Sequence, residues 1–327
     1  MNMEQSTPVV PGLVPLLDHL SGLNSAAGTH GLWRYTRIEG GANNLIYRAT
    51  SPEYDTAIKW TIRDARDRAG REWAALHALA AAGLDCAPVP LFLDRDHYAQ
   101  PVVVQSWLVG TVEAAPPRTD AEWQAFLAHY LTIHSLTPAR CAQPLLPATL
   151  NMHSVADGFA RIAKQLACLP TAARPPELVA LVHAAETRDW PRWPTPPFAL
   201  CRVDSNTRNF VRRAGGWASV DWESGGWGDP SFEVVDVITH PAYACVPTER
   251  WEWLIDAYAR GSGDAGAETR IRAYRPLMLV WWVARLARAL YEVPRGGDQR
   301  LAGRNPAWQA ETEAHYQRYV QLARAAV

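Results

Sequence analysis

The sequence predicts an α+β protein in two parts, a smaller β-rich part at the amino terminus containing one key helix, and a larger, mainly helical remainder. Three observations predict this. Up to about Trp107, short apolar strands alternate with turn residues, and a single internal stretch (66–82) has helical spacing. Beyond it, apolar residues recur with helical periodicity, punctuated by proline joints at Pro116-Pro117, Pro175-Pro176 and 190–197. That helical pattern breaks once, over 201–229, where CRVDSNTRNFVRRAGGWASVDWESGGWGD reads as a hairpin: FVRR, the turn AGG, then WASV. A chain of 327 residues is long enough for both parts and a substantial core.

The elements follow in order. A short amphipathic helix covers 13–20. Ile38 to Arg48 reads as a strand, a turn containing Gly40, Gly41, Asn43 and Asn44, and a second strand. Glycine there lets backbone N–H groups approach a phosphate closely, and the same pair also serves an ordinary hairpin. Thr56–Trp60 is the next apolar strand, with Lys59 as its single cation; in a strand such a charge usually lies on a solvated edge. The helix over 66–82 places Trp73, Leu76, Leu79 and Ala80 on one face, with Glu72 near its middle. Pro101–Gly110 reads as a buried strand running through Gln105, Ser106, Trp107 and Leu108, with Gly110 turning the chain away. The remaining helices are expected at 120–136, 155–167, 176–185, 232–239, 249–260, 268–291 and 306–325. His134 closes the first of these as a packing residue.

The chemistry-bearing residues cluster around the hairpin. Asp204 and Asn209 are separated by four residues, and the hairpin then delivers Asp221. Taken singly, these are turn residues and a strand end. Together they offer oxygen ligands at fixed spacing, which suits a hard cation such as Mg²⁺, and a carboxylate beside them suits proton acceptance. Val220-Asp221-Trp222-Glu223 followed by Gly228-Asp229-Pro230 puts further carboxylates directly after an apolar strand.

At these residues the chain resembles the aminoglycoside phosphotransferase and choline kinase-like small-molecule kinases, relatives of protein kinases. That family carries an HGDxxxxN loop, an IDWE-type metal motif and GDPxxDLA. The counterparts here are Arg202-Val203-Asp204 through Asn209, Val220-Asp221-Trp222-Glu223, and Gly228-Asp229-Pro230-Ser231-Phe232-Glu233. Arg202 stands for the family's His, Val203 for its Gly and Glu233 for its Asp. The resemblance implies a two-lobed protein-kinase-like fold, with a nucleotide-binding lobe over 1–107 and a lobe over 108–327 holding catalytic loop, metal site and acceptor pocket. It implies ATP (with GTP left open) and Mg²⁺ as cofactors. Asp204 would be the base toward an acceptor hydroxyl, and Asn209 and Asp221 the metal ligands. Lys59 would hold the α/β-phosphates with Glu72 as its partner. Gly40, Gly41, Asn43 and Asn44 would lie over the phosphates, and Gln105–Leu108 would form the hinge that meets adenine. A nucleotide-binding pseudokinase, its loop altered by Arg202-Val203, is the alternative. A protein kinase is disfavoured, because too little chain separates Asp221 from Gly228 for an activation loop.

The resemblance also places the acceptor pocket along the late helices, where Trp281, Trp282 and Arg285 fall. Glu223 and Asp229 would add negative charge suited to an amine-bearing alcohol, while Arg285 and Arg288 oppose it. Arg285 lies four positions from Trp281, so the two share a helix face. The acceptor stays open between an aminoglycoside and another small alcohol.

Composition narrows the partners. Lys and Arg total 32 against 33 Asp and Glu, so no bulk charge draws nucleic acid. Five scattered cysteines without metal or redox spacing fit a reducing compartment, and a cytoplasmic location is expected. The start, MNMEQSTPVVPGLVPLL, lacks a basic stretch followed by an apolar one, so no signal peptide is expected. The most apolar run, 277–290, is interrupted by Arg285 and Arg288 and is too short to span a bilayer.

Overall fold

The computed structural model describes residues 10–22, 25–39, 44–296 and 307–327. They form two compact units. One, the sheet unit, takes in the residues up to Glu113, together with 128–149 and 208–227; the other, the helical unit, takes in 114–127, 150–207 and 228–327.

In the sheet unit, α1 (Leu13–Ser21) precedes a six-stranded sheet of β1 (Ala27–His30), β2 (Trp33–Ile38), β3 (Leu45–Thr50), β4 (Asp55–Trp60), β5 (Pro90–Asp94) and β6 (Val102–Ser106). The order is β1-β2-β3-β4-β6-β5, and every neighbouring pair is antiparallel. Strand alternation sorts the side chains into two layers. Ile58, Trp60, Val102 and Val104 join Leu13, Leu16, Leu17 and Leu20 of α1 in one apolar cluster. The intervening positions of β4, Ala57 and Lys59, are buried apart from that cluster. Because β4 lies between β3 and β6, Lys59 is a central-strand residue, only 3% exposed, and no solvated edge charge.

After β4 comes α2 (Arg68–Ala81), which packs on β5 and β6. Asp67 caps it, accepting the N–H of Gly70 at 3.2 Å. The buried face of α2 differs from the expected one. Arg68, Glu72, Ala75, Leu76 and Leu79 are buried, whereas Trp73 is half-buried and Ala80 exposed. Apolar periodicity missed this face because two charged residues occupy it, each with a buried partner of opposite sign. The strand expected to reach Gly110 ends at Ser106, so Trp107 and Leu108 lie just beyond it.

The helical unit contains α4 (Val155–Leu166), α5 (Pro176–Thr187), α6 (Pro230–Thr239), α7 (Thr248–Ser262), α8 (Ala267–Glu292) and α9 (Trp308–Arg324). An earlier helix, α3 (Asp120–His134), begins in this unit and ends among the sheet unit's residues. α8 is the hub, packing against α4, α5, α6, α7 and α9. The short strand β7 (Ala199–Cys201) packs under α6. All ten residues of α6 are buried. Each helix lies within a few residues of its expected span, except that the expected start of α9 at Pro306 falls outside the described residues. No helix among the described residues is long and apolar enough to cross a membrane.

The hairpin β8 (Phe210–Arg213) and β9 (Gly216–Ser219) belongs to the sheet unit and pairs Phe210 with Ser219 and Arg213 with Gly216. Gly216 sits at φ 127°, a backbone region that L side chains rarely adopt, which accounts for glycine at that corner.

Candidate active site

Within the sheet unit, strand alternation on β4 and one turn of α2 bring opposite charges together. Lys59 Nζ lies 2.7 Å from Glu72 Oε2, contacts Asp221 Oδ1 directly, and is 3.7 Å from Glu223 Oε2. Arg68, one turn before Glu72, donates to Glu223 Oε1 and to Asp64 Oδ2, the latter at 2.9 Å. Asn44 donates to Glu223 Oε2 at 3.0 Å. Burial works against the charge on Lys59, but Asp221, Glu72 and Glu223 outweigh it and raise its pKa. Burial also pushes the Glu72 carboxyl up to about 7; Lys59 opposes the rise, and the neighbouring Asp221 and Glu223 add to it. Three carboxyl groups (Glu72, Asp221, Glu223) face two cations (Lys59, Arg68) in a largely buried cluster.

The hairpin positions the expected metal ligands of this unit. Asn209 precedes β8 and Asp221 follows β9, and the Asn209 carbonyl accepts the N–H of Val220 at 2.9 Å, so the two ligands leave adjacent hairpin ends. Asp221 takes φ 65°, an uncommon left-handed conformation for a non-glycine residue. A carboxylate and a carboxamide are hard oxygen donors, and beside a cluster rich in carboxyl groups they fit Mg²⁺. Glu72 Oε1 is buried without a partner among the described residues, as is Asn44 Oδ1.

Of the expected nucleotide contacts, Gly40, Gly41 and Asn43 lie outside the described residues. Gln105 is buried on β6. Ser106 exchanges bonds with Val89: its N–H donates to the Val89 carbonyl at 2.8 Å, and its Oγ accepts the Val89 N–H at 2.9 Å. Trp107 donates its N–H to the Asp55 carbonyl at 2.8 Å and lies under the Arg48 guanidinium, 4.7 Å away.

In the helical unit, the loop after β7 holds Asp204 at the surface, its side chain 47% exposed. Val203 and Asp204 both take left-handed backbone, at φ 62° and 71°. For a β-branched valine this is strained, so the surroundings must hold it. They do so through α6. The Val203 N–H donates to Glu233 Oε1 at 2.6 Å, and the Ser205 N–H and Oγ donate to Asp236 Oδ2 at 2.9 and 2.7 Å. Arg202 is fully buried and donates to the Asp204 carbonyl, fastening the loop from the other side. Burial raises the pKa of Asp236, against the opposing influence of His240 and the Ser205 hydroxyl. His240, just past the end of α6, has Nε2 3.9 Å from Asp204 Oδ1.

Three residues expected in the acceptor pocket lie in buried contacts. Glu223 is only 8% exposed, and its oxygens are engaged by Arg68 and Asn44 within the sheet unit. Asp229 has no exposed surface; Arg270 Nε (2.7 Å) and Tyr274 Oη (2.9 Å) bond Oδ2, while the Ser231 N–H caps α6 through Oδ1 at 2.9 Å. A buried carboxylate needs such partners, and these leave it anchoring α6 to α8. Trp281 is buried, with the Arg285 guanidinium 5.6 Å from its ring centroid, so the shared face is as expected but a cation of the protein itself covers the ring. Trp282 is half-buried and packs edge-on to His240 at 5.9 Å.

Arg68, Asp236 and His240 escaped the sequence reading. The spacing of Arg68 and Glu72, one helical turn apart, was a usable sign, as was Asp236 three positions beyond Glu233.

Comparison with known proteins gives the frame for these parts. A model of the Phosphotransferase enzyme family matches residues 34–277. Among solved structures, a choline/ethanolamine kinase family protein from Mesorhizobium loti is 21% identical, with a TM-score of 0.60 over 96% of this chain and 99% of that one. A spectinomycin phosphotransferase, solved with ADP and spectinomycin, is 12% identical, with a TM-score of 0.58 over 96% of this chain and 97% of that one. A macrolide 2'-phosphotransferase from Brachybacterium faecium is 18% identical, with a TM-score of 0.55 over 85% of this chain and 98% of that one. At these identities the likeness is one of fold: a protein-kinase-like arrangement of an antiparallel β-sheet lobe and a helical lobe. No curated protein matches the chain.

Proposed function

Because the chain belongs to the phosphotransferase enzyme family, we propose that it moves the γ-phosphoryl group of ATP to a hydroxyl of a small molecule. The observation that carries this reading is the buried Lys59, held by Glu72 and in contact with Asp221. A lysine fixed in this way presents a localised positive charge to a phosphate, with its side-chain entropy already lost on folding. Asn209 and Asp221 would hold Mg²⁺, which when bound neutralises charge on the transferring phosphoryl oxygens. Lys59 would hold the α/β-phosphates, with Glu72 keeping it oriented. Asn44 would lie near the phosphates, and Gln105, Ser106, Trp107 and Leu108 would form the hinge toward adenine. Asp204 orients the acceptor hydroxyl and takes its proton. Trp282 remains the candidate acceptor contact among the late-helix residues.

The test is ADP release from Mg·ATP across a panel of aminoglycosides, choline, thiamine, homoserine and sugars. Asp204→Ala should abolish acceptor-dependent ADP release while ATP still binds, and Asp221→Ala should remove the Mg²⁺ dependence of nucleotide binding. Turnover by Asp204→Ala equal to that of the unmodified chain would refute the assignment. Thermal stabilisation by ATP without any ADP release would mark a nucleotide-binding pseudokinase instead.

A further inference from the structure

We infer that His240 is a positioning residue for Asp204, donating from Nε2 to the carboxylate that receives the acceptor proton. The inference rests on the reading of Asp204 as the base and adds a residue to that machinery.

The argument begins with the tautomer. His240 follows the last residue of α6, and its Nδ1 accepts the backbone N–H of Ala242 at 3.2 Å, capping the short 3-10 turn Pro241–Tyr243. A nitrogen that accepts a hydrogen bond carries a lone pair, so the neutral ring bears its proton on Nε2. Nε2 is the nitrogen facing Asp204 Oδ1, at 3.9 Å. Catalytic hydrogen bonds are commonly long before substrate arrives and shorten in the loaded complex.

The ring itself has little freedom. Its side chain is 14% exposed, and it packs edge-on against Trp282 of α8 at 5.9 Å and Tyr243 at 6.2 Å. The charged groups around it are Asp236 on α6, Asp204 and Arg202 on the loop. Burial lowers the pKa of His240, Arg202 adds to the fall and the two aspartates oppose it. The neutral, Nε2-protonated ring is therefore the form that meets Asp204 near neutral pH. Asp204 Oδ1 also receives the Asn206 N–H at 3.3 Å. A hydrogen bond from His240 in the loaded complex would bring a second donor to that oxygen and orient a carboxylate that stands on left-handed backbone.

The same geometry gives His240 a second partner in α6. Asp236, one helical turn before His240, ties down Ser205, the residue after Asp204. The end of α6 thus grips the loop twice, through the Ser205 backbone and through the Asp204 side chain.

The experiment compares Asp204→Asn, His240→Phe and His240→Gln, with Mg·ATP and the best acceptor of the panel, or water as acceptor where ATP hydrolysis alone is seen. Phe keeps the ring against Trp282 but has no donor; Gln supplies an N–H in place of Nε2. We expect His240→Phe to lower kcat roughly tenfold or more with the KM for ATP within about twofold, and His240→Gln to recover most of the loss. In the Asp204→Asn background, His240→Phe should cause no further fall, since the two act as one device. Loss in Asp204→Asn with undiminished kcat in His240→Phe would overturn the inference while leaving the base assignment intact. Equal losses in Phe and Gln, with lowered thermal midpoints in both, would also overturn it, showing a packing role only. Full activity in Asp204→Asn would overturn the underlying reading itself.

Discussion

Replacing Arg68 with leucine isolates the buried pair that joins α2 to the Asp221–Glu223 segment inside the sheet unit. Arg68 is 3% exposed and Glu223 8%, so neither charge is relieved by water. Opposite charges about 4 Å apart at an effective dielectric near 20 attract by about 4 kcal/mol. Removing the guanidinium leaves Glu223 with the Asn44 amide at 3.0 Å and Lys59 Nζ at 3.7 Å, a partial replacement. Asp64 loses its 2.9 Å bond as well, but it is closer to solvent and retains Arg66. Breaking one side of a buried pair costs about 3–5 kcal/mol, and the remaining donors place this case near 3. With a urea m-value near 3 kcal/mol/M, the unfolding midpoint of the sheet unit should fall by about 1 M. Glu223→Gln relieves the stranded charge, so Arg68→Leu combined with Glu223→Gln should lose much less than the two single losses added together. A midpoint unchanged in Arg68→Leu, or strictly additive losses in the double variant, would refute the reasoning.

Two further outcomes follow from buried charges. Arg270→Met should destabilise the helical unit by about 3–5 kcal/mol in urea unfolding, because Asp229 keeps only the Tyr274 hydroxyl and the Ser231 N–H; no change would show that Asp229 does not depend on the pair. The second concerns pH. The Glu72 carboxyl is raised from an ordinary value of 4.5 to about 7, so the folded chain holds this proton more tightly than the unfolded one. Its contribution to stability is complete below pH 4.5 and is lost as pH rises toward 7. Glu72→Gln should therefore flatten the decline in ligand-free stability over that window, measured by urea unfolding at a series of pH values. An undiminished decline in the variant would locate the titration elsewhere.

Much of the candidate site was legible because its signals are local. Asp204, Asn209 and Asp221 drew notice through their spacing together with the surrounding motifs and the family resemblance, and the AGG corner marks the hairpin that puts Asn209 beside Val220. Lys59 and Glu72 were singled out by the family resemblance, and their 2.7 Å contact joins two elements adjacent in sequence. What the sequence did not reveal involves burial. Glu223, Asp229 and Trp281 looked like acceptor contacts because charged and aromatic side chains near a site resemble binding groups. Whether a carboxylate is offered to a ligand or spent on a buried arginine depends on what packs against it. Arg68 and Arg270 fill that role here, from 155 and 41 positions away.

The sequence alone thus determined the order of elements, since periodicity and turn chemistry act between near neighbours along the chain. Only the folded structure decided that 208–227 clusters with the residues up to Glu113, and that α6 holds Asp204's loop through Glu233 and Asp236. Those outcomes depend on desolvated charges finding partners across long stretches of chain, a selection made by packing that no local pattern records.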